Sequence, residues 1–353
     1  MGAPLGASSS NESVHVGITP VKRPSAPRRM TAPGVSARKC HNDPDRAPAS
    51  RLVMVTAYDA PSAKQAQRAG VDMILVGDSL AMVVLGHDDT LSVTVDDMAH
   101  HTKAVARGLS ALEVAGCDQA RPLVVADMPW MSYHISVEDT LRNAAVLMRA
   151  GAGCIKLEGG RKRLPMIEAL IDSEIPVMGH IGLTPQSVNA LGGFKVQGKT
   201  VAAAETLVAD AKALEAAGCF AIVLEAVPDE VARIITEVVS IPTIGIGAGP
   251  SCDGQVLVFH DVLGIEDRLA PKFVRRYGDI GNASVEAVRA YAADVRIGAF
   301  PSVAESYVAS GELVSALRAH RADSEAAAEA ALASRIDALV DLDDDALRAL
   351  YAN

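Results

Sequence analysis

The feature that most constrains the fold is a series of short apolar runs separated by polar or Gly-rich turns and Ala-rich helical stretches. Each run has the length of a buried strand. Strands that alternate with helices predict a parallel sheet, and right-handed crossovers let eight such strands close into a (β/α)8 TIM barrel. The predicted strands are Val53–Ala57, Met73–Val76, Leu123–Ala126, Cys154–Leu157, Pro176–Gly179, Ala221–Leu224, Thr243–Ile246 and Val256–Phe259.

The composition fits this fold. Apolar residues make up 49% of the 353-residue chain but aromatic residues only 3%, so the core must consist mainly of Ala, Val, Ile and Leu. Such a core suits a parallel sheet covered by Ala-rich helices. A weak repeat supports it: Gly70, Gly151 and Gly218 each end a helical stretch and precede a strand. Glycine favours the left-handed position after a helix C-terminus.

The barrel pattern covers only part of the chain. Residues 1–48 are rich in Ser, Pro, Ala, Arg and Lys without an apolar period, which predicts a disordered N-terminal arm. A transit peptide is the alternative, because arginines occur there with few acids. Residues 49–305 are predicted to form a catalytic barrel. Residues 306–353, rich in Ala, Asp and Glu, are predicted to form a helical acidic C-terminal tail that packs on the barrel or on a partner subunit.

Charge and hydropathy argue against several classes of partner. The net charge of −10 disfavours binding to nucleic acid or to an anionic membrane. No apolar run approaches the ~20 residues that a membrane-spanning helix needs. The five cysteines show no CxxC spacing, so neither a disulfide framework nor a thiolate zinc site is predicted. We therefore expect a cytoplasmic protein that binds small molecules.

Ionisable residues follow or end many of the predicted strands. The carboxyl ends of barrel strands converge on one mouth, so these residues should lie together. Like charges held together require a cation, and carboxylate oxygens select Mg²⁺; Asp78, Asp127 and Glu158 are the predicted ligands. The residues at the strand ends are Asp59, Asp78-Ser79, Asp127, Lys156 with Glu158, His180 and Glu225.

Lys156 and Glu158 lie two residues apart in one strand, so their side chains share a face. Lys156 could act as a Schiff-base nucleophile or as a cation that binds a substrate carboxylate. Neighbouring carboxylates favour its charged form, so we expect substrate binding. Glu225 ends a very apolar strand and is the candidate for general acid–base work. For His180, a structural role and contact with a ligand both remain open.

In their order along the chain, the motifs resemble those of the ketopantoate hydroxymethyltransferase family. The resemblance runs from about residue 52 to residue 300, and the ordered set is far more specific than any single motif. The matching stretches are Val55-Thr56-Ala57-Tyr58-Asp59, Leu75-Val76-Gly77-Asp78-Ser79, Ala126-Asp127-Met128-Pro129, Lys156-Leu157-Glu158-Gly159-Gly160, Gly179–Ser187, Gly192–Gly198, Leu224-Glu225-Ala226-Val227-Pro228 and Gly245–Gly249 with Asp253-Gly254-Gln255.

The resemblance implies a barrel of the phosphoenolpyruvate/pyruvate superfamily. It also implies transfer of a hydroxymethyl group from 5,10-methylenetetrahydrofolate to 3-methyl-2-oxobutanoate, giving 2-dehydropantoate in pantothenate and coenzyme A biosynthesis. The chemistry would be of the aldol type, in which Mg²⁺ stabilises an enolate of the ketoacid. The implied roles are Mg²⁺ binding by Asp78, Asp127 and Glu158, ketoacid binding by Asp78, Ser79, Asp127 and Lys156 with His180 beside them, and proton transfer by Glu225.

The family also forms homo-oligomers, often decamers, so we expect a homo-oligomer. The sequence departs from the family pattern in a long connection at Leu109–Arg121. It also lacks an expected histidine near Glu305-Ser306-Tyr307, and both terminal segments are additional. These departures bear on contacts between subunits more than on the chemistry.

Two other functions compete with this one. A lyase of the same superfamily that cleaves a carbon–carbon or phosphorus–carbon bond would carry a catalytic cysteine in a mobile loop. The Gly192–Gly198 segment, which we predict to be a mobile flap, contains none. A non-catalytic barrel that binds a ketoacid and regulates a partner would be expected to lack a metal ligand or Glu225, and the sequence retains them.

Overall fold

A computed structural model of the chain describes residues 29–39, 51–114, 117–265 and 271–340. The chain divides into two compact units, with the boundary between Gly281 and Asn282. Every strand named below belongs to the first unit.

Eight parallel strands close into a barrel in chain order, and β8 pairs with β1. Each strand therefore has a hydrogen-bonded neighbour on both sides. This topology confirms the predicted (β/α)8 barrel. The strands are β1 (Leu52–Thr56), β2 (Met73–Val76), β3 (Leu123–Asp127), β4 (Cys154–Glu158), β5 (Val177–Gly182), β6 (Ala221–Glu225), β7 (Thr243–Ile246) and β8 (Gly254–Leu257).

The predicted position of β8 was wrong by two residues. The apolar run predicts a strand over Val256–Phe259, but β8 is Gly254–Leu257. It starts earlier because Gly254 pairs with Leu52 of β1. It ends earlier because the Phe259 N–H donates to Thr56 Oγ1 (3.0 Å) and Phe259 begins a helix. Pairing with β1, rather than hydropathy, decides which residues extend.

Helices connect the strands and cover the outside of the barrel. Gly70, Gly151 and Gly218 follow three of them with φ of 78°, 111° and 98°, the left-handed geometry predicted for the helix–Gly–strand repeat. The helices are α2 (Ala60–Arg68), α3 (Leu80–Val83), α4 (Val95–Val114), α5 (Val137–Arg149), α6 (Leu164–Asp172), α7 (Val188–Leu191), α8 (Val201–Ala216), α9 (Asp229–Val238) and α10 (Phe259–Leu263).

Alternation along the strands separates two packing surfaces. In β4, Ile155 and Leu157 belong to the core between strands and helices, whereas Cys154 belongs to the apolar cluster inside the barrel. Lys156 and Glu158 are in phase with Cys154 and so face the interior, as predicted. The apolar interior fills the N-terminal part of the barrel, and the charged residues lie at the C-terminal mouth.

Residues 29–39 pack against the N-terminal end of the barrel. They include α1 (Ala32–Ser36), whose Ala32 and Val35 are buried in the apolar cluster inside the barrel. The Met30 N–H donates to Arg121 O (2.9 Å), and Ser36 Oγ donates to Phe220 O (3.2 Å). From sequence this segment is part of a disordered arm; the structure corrects that here, because its apolar side chains bury against the barrel. Residues 1–28 and 40–48 lie outside the described residues.

The second unit is helical where the structure describes it. Helix α11 (Ile280–Ile297) begins just before the unit boundary, and α12 (Gly311–Val340) lies within the predicted C-terminal tail. Residues 341–353 of that tail lie outside the described residues. Among the helices of the described ranges, none is both long and apolar enough to cross a membrane.

Candidate active site

A cavity of ≈ 810 Å³ opens at the carboxyl ends of the strands. Seven of the strand-end residues predicted from sequence line it, although they come from five different strands or the turns after them. Their convergence follows from the topology, because parallel strands of a closed barrel end at one mouth. The lining residues predicted in advance are Asp78, Ser79, Asp127, Lys156, Glu158, His180 and Glu225.

A buried ion pair lies on the floor of this cavity. Lys156 Nζ lies 2.5 Å from Asp127 Oδ1, and the two side chains are 5% and 3% exposed. Pairing of β3 with β4 places Asp127 opposite Lys156, so the backbone register brings the charges together. A buried charge is costly unless it is paired, and here each charge stabilises the other.

Asp78 lies in the turn after β2, close to Asp127. Its main-chain N–H donates to Asp127 Oδ2 (3.2 Å). Gly77 makes this approach possible, because an added Cβ there would lie 2.9 Å from Ser79 Oγ and 3.4 Å from Asp127 Oδ2. Ser79 Oγ in turn lies 2.8 Å from Tyr58 Oη, with either hydroxyl able to donate. The turn thus presents a carboxylate and an anchored hydroxyl to the cavity.

His180 lies between two carboxylates. Its Nε2 is 3.3 Å from Glu225 Oε2, and its Nδ1 is 3.7 Å from Glu158 Oε1. Neither ring nitrogen completes a hydrogen bond within the described residues. Glu225 is the most exposed of these side chains at 18%, against 2% for His180 and 3% for Glu158. Glu225 therefore faces the open part of the cavity, and His180 lies beneath it.

Gln186 and Tyr133 link the acidic residues, and neither is singled out from the sequence. Gln186 Nε2 donates to Asp78 Oδ2 (2.8 Å), and its main-chain N–H donates to Glu158 Oε2 (3.0 Å). Tyr133 Oη donates to Gln186 Oε1 (2.7 Å) and accepts from the Glu158 N–H (3.1 Å). The only advance signal for Gln186 is its position inside the Gly179–Ser187 motif.

Burial and repulsion between like charges raise the pKa values of two carboxyl groups in the cavity. Burial, followed by the charge of Asp127, raises the pKa of Asp78 to about 7. Burial and the charge of Asp78 likewise raise the pKa of Glu158 well above its usual range. Both carboxyls lie where a proton or a cation is favoured near neutral pH.

The pKa values of Lys156 and His180 shift in opposite directions. Burial alone would lower the pKa of Lys156, but the charges of Asp127, Glu158 and Asp78 outweigh it and hold the pKa above its usual range. Lys156 is therefore an ammonium, which disfavours the Schiff-base role. Burial, assisted by the charge of Lys156, lowers the pKa of His180, so its imidazole is neutral near pH 7.

The acids fit a divalent cation by donor chemistry. The described residues contain no group of three His, Cys, Asp or Glu side chains arranged to enclose a metal ion. Magnesium, however, is commonly held by one or two carboxylates together with water and substrate oxygens. Asp78, Asp127 and Glu158 line one cavity, and a cation beside Asp78 and Glu158 would favour their charged forms. The residues present therefore fit Mg²⁺.

The outer part of the cavity is lined by aromatic and cationic residues. Phe194 and Lys195 come from the predicted flap, and Lys272 and Phe273 come from the segment after α10. Phe194 is 51% exposed and Phe273 is 38% exposed. Only the flap has a sequence signal, its bracketing glycines. Lys272 and Phe273 lie far from any predicted strand end, so only folding brings them to the cavity.

Asp59 does not belong to this group. It follows β1, but its Oδ1 accepts a hydrogen bond from the Ser62 N–H (2.7 Å) and it caps α2 in a capping box. It is not among the residues that line the cavity. An aspartate after a strand can equally begin the next helix, and here it does.

Relatives with similar sequences carry one name. A 3-methyl-2-oxobutanoate hydroxymethyltransferase from Oleidesulfovibrio alaskensis is 56% identical over 258 residues, which cover 73% of this chain and 86% of the relative. The enzyme of that name from Clostridium acetobutylicum is 56% identical, over 73% of this chain and 90% of the relative. The one from Methylobacterium sp. is 54% identical, over 74% and 88%.

Solved structures resemble the fold more distantly. A phosphonopyruvate hydrolase aligns with a TM-score of 0.47 and 14% identity, covering 84% of this chain and 97% of its own. A 2,3-dimethylmalate lyase, a PEP mutase/isocitrate lyase superfamily member, aligns with a TM-score of 0.46 and 17% identity, covering 86% and 100%.

The closed barrel, the charged mouth and the named relatives together define a (β/α)8-barrel enzyme of the hydroxymethyltransferase class. A family model described as ketopantoate hydroxymethyltransferase matches residues 42–303. This chain belongs to that family.

Proposed function

We propose that the protein transfers a hydroxymethyl group from 5,10-methylenetetrahydrofolate to 3-methyl-2-oxobutanoate, giving 2-dehydropantoate for pantothenate and coenzyme A synthesis. The family and the shared name of the relatives support the acceptor. The observation that carries the proposal is the buried Lys156–Asp127 pair beside Asp78 and Glu158, which combines a fixed cation with carboxylates in one cavity.

Asp78, Asp127 and Glu158 are the residues proposed to hold Mg²⁺. Their oxygens suit a hard cation, and the raised pKa values of Asp78 and Glu158 reflect a site that favours added positive charge. When bound, the ion supplies Lewis-acid polarisation of the keto group, which makes the C3 proton of the ketoacid more acidic.

Lys156 and Ser79 are proposed to bind and orient the ketoacid. The Lys156 ammonium, held by Asp127, offers a fixed positive charge to the carboxylate and to the negative charge that develops on loss of the C3 proton. Ser79, anchored by Tyr58, offers a hydroxyl to the same cavity. Asp127, which pairs with Lys156, and Asp78, whose main-chain N–H bonds Asp127, complete this subsite.

Glu225 is proposed to accept the proton. It ends β6, faces the open part of the cavity and lies 3.3 Å from the neutral His180 ring. The neutral His180 ring adds no charge beside Glu225, so the carboxylate of Glu225 is not neutralised from that side. The proton that Glu225 accepts comes either from C3 of the ketoacid or from the folate, and these two assignments predict different exchange behaviour.

The folate is proposed to enter over Glu225 through the outer part of the cavity. Phe194 and Phe273 offer aromatic surfaces to its rings, and Lys195 and Lys272 offer positive charge to its glutamate carboxylates. This direction of approach would place the methylene carbon above the ketoacid, with Glu225 between the two substrates.

The proposal is tested by following the C3 proton of 3-methyl-2-oxobutanoate by NMR in deuterated buffer. We expect exchange that requires Mg²⁺ and the protein, and formation of 2-dehydropantoate when 5,10-methylenetetrahydrofolate is added. Folded, Mg²⁺-supplied protein that shows neither exchange nor product would refute the assignment.

Glu225→Gln separates the two roles of Glu225. If this carboxylate accepts the C3 proton, exchange without folate is lost together with transfer. If it acts on the folate, exchange persists while transfer is lost. Unchanged exchange and unchanged transfer would remove Glu225 from the mechanism.

The quaternary structure and the location also remain proposals. We propose a homo-oligomer, as in the family, which often forms decamers. In support, α11 carries Val285, Val288, Tyr291 and Val295 at helical spacing, and each is 45% to 65% exposed. Light scattering of the full chain would test this, and a monomer at micromolar concentration would contradict it.

The cytoplasmic location stays a prediction, to be checked by cell fractionation.

A further inference from the structure

Gln186 uses its polar groups to hold two carboxylates of the site. It lies in a turn of 3₁₀ helix, Pro185–Ser187, that follows β5, and it is 5% exposed. Its Nε2 donates one proton to Asp78 Oδ2 (2.8 Å) and the other to Met128 O (2.9 Å). Its main-chain N–H donates to Glu158 Oε2 (3.0 Å). One residue therefore engages one oxygen of Asp78 and one oxygen of Glu158.

Tyr133 fixes which way the Gln186 amide points. A tyrosine hydroxyl has one proton, and Tyr133 Oη already accepts a hydrogen bond from the Glu158 N–H (3.1 Å). Its proton is therefore free for Gln186 Oε1, 2.7 Å away. With Oε1 turned toward Tyr133, the amide NH₂ faces Asp78. The hydroxyl thus prevents the opposite orientation, which would turn an amide oxygen toward a carboxylate.

On each carboxylate, one oxygen accepts a hydrogen bond from Gln186 and the other does not. Asp78 Oδ1 accepts no hydrogen bond from the described residues, and Glu158 Oε1 has only the His180 ring, 3.7 Å away. Binding through both oxygens of Asp78 would make Oδ2 share the cation with the Gln186 amide, whose partly positive hydrogen disfavours a cation beside it. Magnesium accepts carboxylates through single oxygens in a strict octahedron, whereas calcium takes six to eight oxygens and often binds carboxylates through both.

We propose that Gln186, oriented by Tyr133, is a positioning residue that makes Asp78 a one-oxygen ligand and so sets the preference of the site for Mg²⁺ over Ca²⁺. This inference rests on the proposed function, because it takes Asp78 and Glu158 as cation ligands. Gln186 is not among the residues that line the cavity, and its side chain acts through Asp78.

The test is isothermal titration of the full-length protein with MgCl₂ and CaCl₂, with 3-methyl-2-oxobutanoate present. Gln186→Met keeps the length of the side chain but removes both amide donors, while its main chain still holds Glu158. We expect the ratio of the Ca²⁺ to the Mg²⁺ dissociation constant to fall by about tenfold, the scale on which residues behind metal ligands act. Gln67→Met is the matched control, because Gln67 is fully buried on α2 and does not line the cavity.

Tyr133→Phe is a second variant, which tests the positioning role of Gln186 if Gln186→Met does not fold. It removes the hydroxyl that orients the amide and that accepts the Glu158 N–H, but it keeps the amide donors of Gln186, so the ratio should fall in the same direction by a smaller factor. A ratio that stays within about twofold of wild type in folded variants overturns the inference and leaves the proposed function standing. Wild-type protein that binds neither ion overturns the metal assignment itself, and this inference with it.

Discussion

The barrel contains a buried Lys–Asp pair at each end, and the two pairs differ in their surroundings. At the mouth, Lys156 Nζ lies 2.5 Å from Asp127, beside further carboxylates and a cavity. At the opposite end, Lys39 Nζ lies 2.9 Å from Asp253 Oδ2, with side chains 5% and 0% exposed. There Lys39 also donates to Thr236 O (2.6 Å), and Asp253 accepts from the Thr243 N–H (2.8 Å).

The difference distinguishes a pair that stabilises the fold from a pair suited to binding. Around Lys39 and Asp253, main-chain groups complete the hydrogen bonding, and the pair ties the segment after α1 to the turn before β8. Around Lys156, Asp78 and Glu158 leave the cavity with excess negative charge, which burial makes costly. Residues at the bottom of a barrel serve stability, and residues at the top serve catalysis.

The largest effect on stability is expected from Lys39→Met. Removing one partner of a buried pair leaves Asp253 uncompensated, at a cost of about 3–5 kcal/mol in the free energy of unfolding. Urea denaturation would measure the loss, and hydroxymethyl transfer by the remaining folded protein should be unchanged. Loss of transfer without loss of stability would contradict the proposed division between the two ends.

Lys156→Met tests the other pair. We expect transfer to fall by about 10²–10³-fold, because a preorganised positive charge is lost where negative charge develops. The loss of stability should be smaller than for Lys39→Met, because Asp127 lines a cavity in which water or a cation can compensate its charge. Steady-state kinetics and urea denaturation of both variants provide the comparison; equal losses of stability would show that the two ends are energetically alike.

The acids of the mouth also predict a dependence of stability on pH. Burial, followed by the charge of Asp127, raises the pKa of Asp78 from 3.8 in the unfolded chain to about 7 in the folded protein. Between these pH values the folded state binds more protons than the unfolded chain. Stability therefore falls as pH rises from about 4 to about 7, by at most about 1.4 kcal/mol per pH unit for this group.

Urea denaturation in EDTA across this pH range would measure that slope. Asp78→Asn should reduce it, and saturating Mg²⁺ should also reduce it because the cation replaces the proton. A slope that Asp78→Asn leaves unaltered would show that the repulsion lies elsewhere. Acid denaturation at lower pH would add to this dependence without changing its sign near neutrality.

The smallest effect is expected for an ion pair on the surface. On α5, Arg142 bonds Glu138 and Asp139 at 2.8 Å, but its side chain is 62% exposed. Water screens such pairs, so Arg142→Ala should cost less than about 1 kcal/mol. Thermal unfolding would measure the loss of stability. A loss as large as that of Lys39→Met would show that burial does not determine how much an ion pair contributes to stability.

Much of the fold could be predicted because each signal was local. The apolar runs indicated the strands, Gly70, Gly151 and Gly218 marked the ends of helices, and alternation placed Lys156 and Glu158 on one face. The barrel then brought the predicted residues to one cavity, as its topology requires. Asp59 shows the limit of this reasoning, because the same residue type after a strand also caps a helix.

Several features could not be predicted from the sequence, because they depend on contacts between segments that are distant along the chain. Pairing with β1 set the start of β8, and burial against the barrel interior folded residues 29–39. Gln186 has no local signal of its role, because Asp78 and Tyr133 lie far from it in sequence. The sequence by itself determined which charged residues lie at the C-terminal ends of the strands, where the mouth of the barrel forms. Only the closed barrel decided which partners these residues have, because the ends of strands that are distant in sequence meet at one mouth only when the barrel closes.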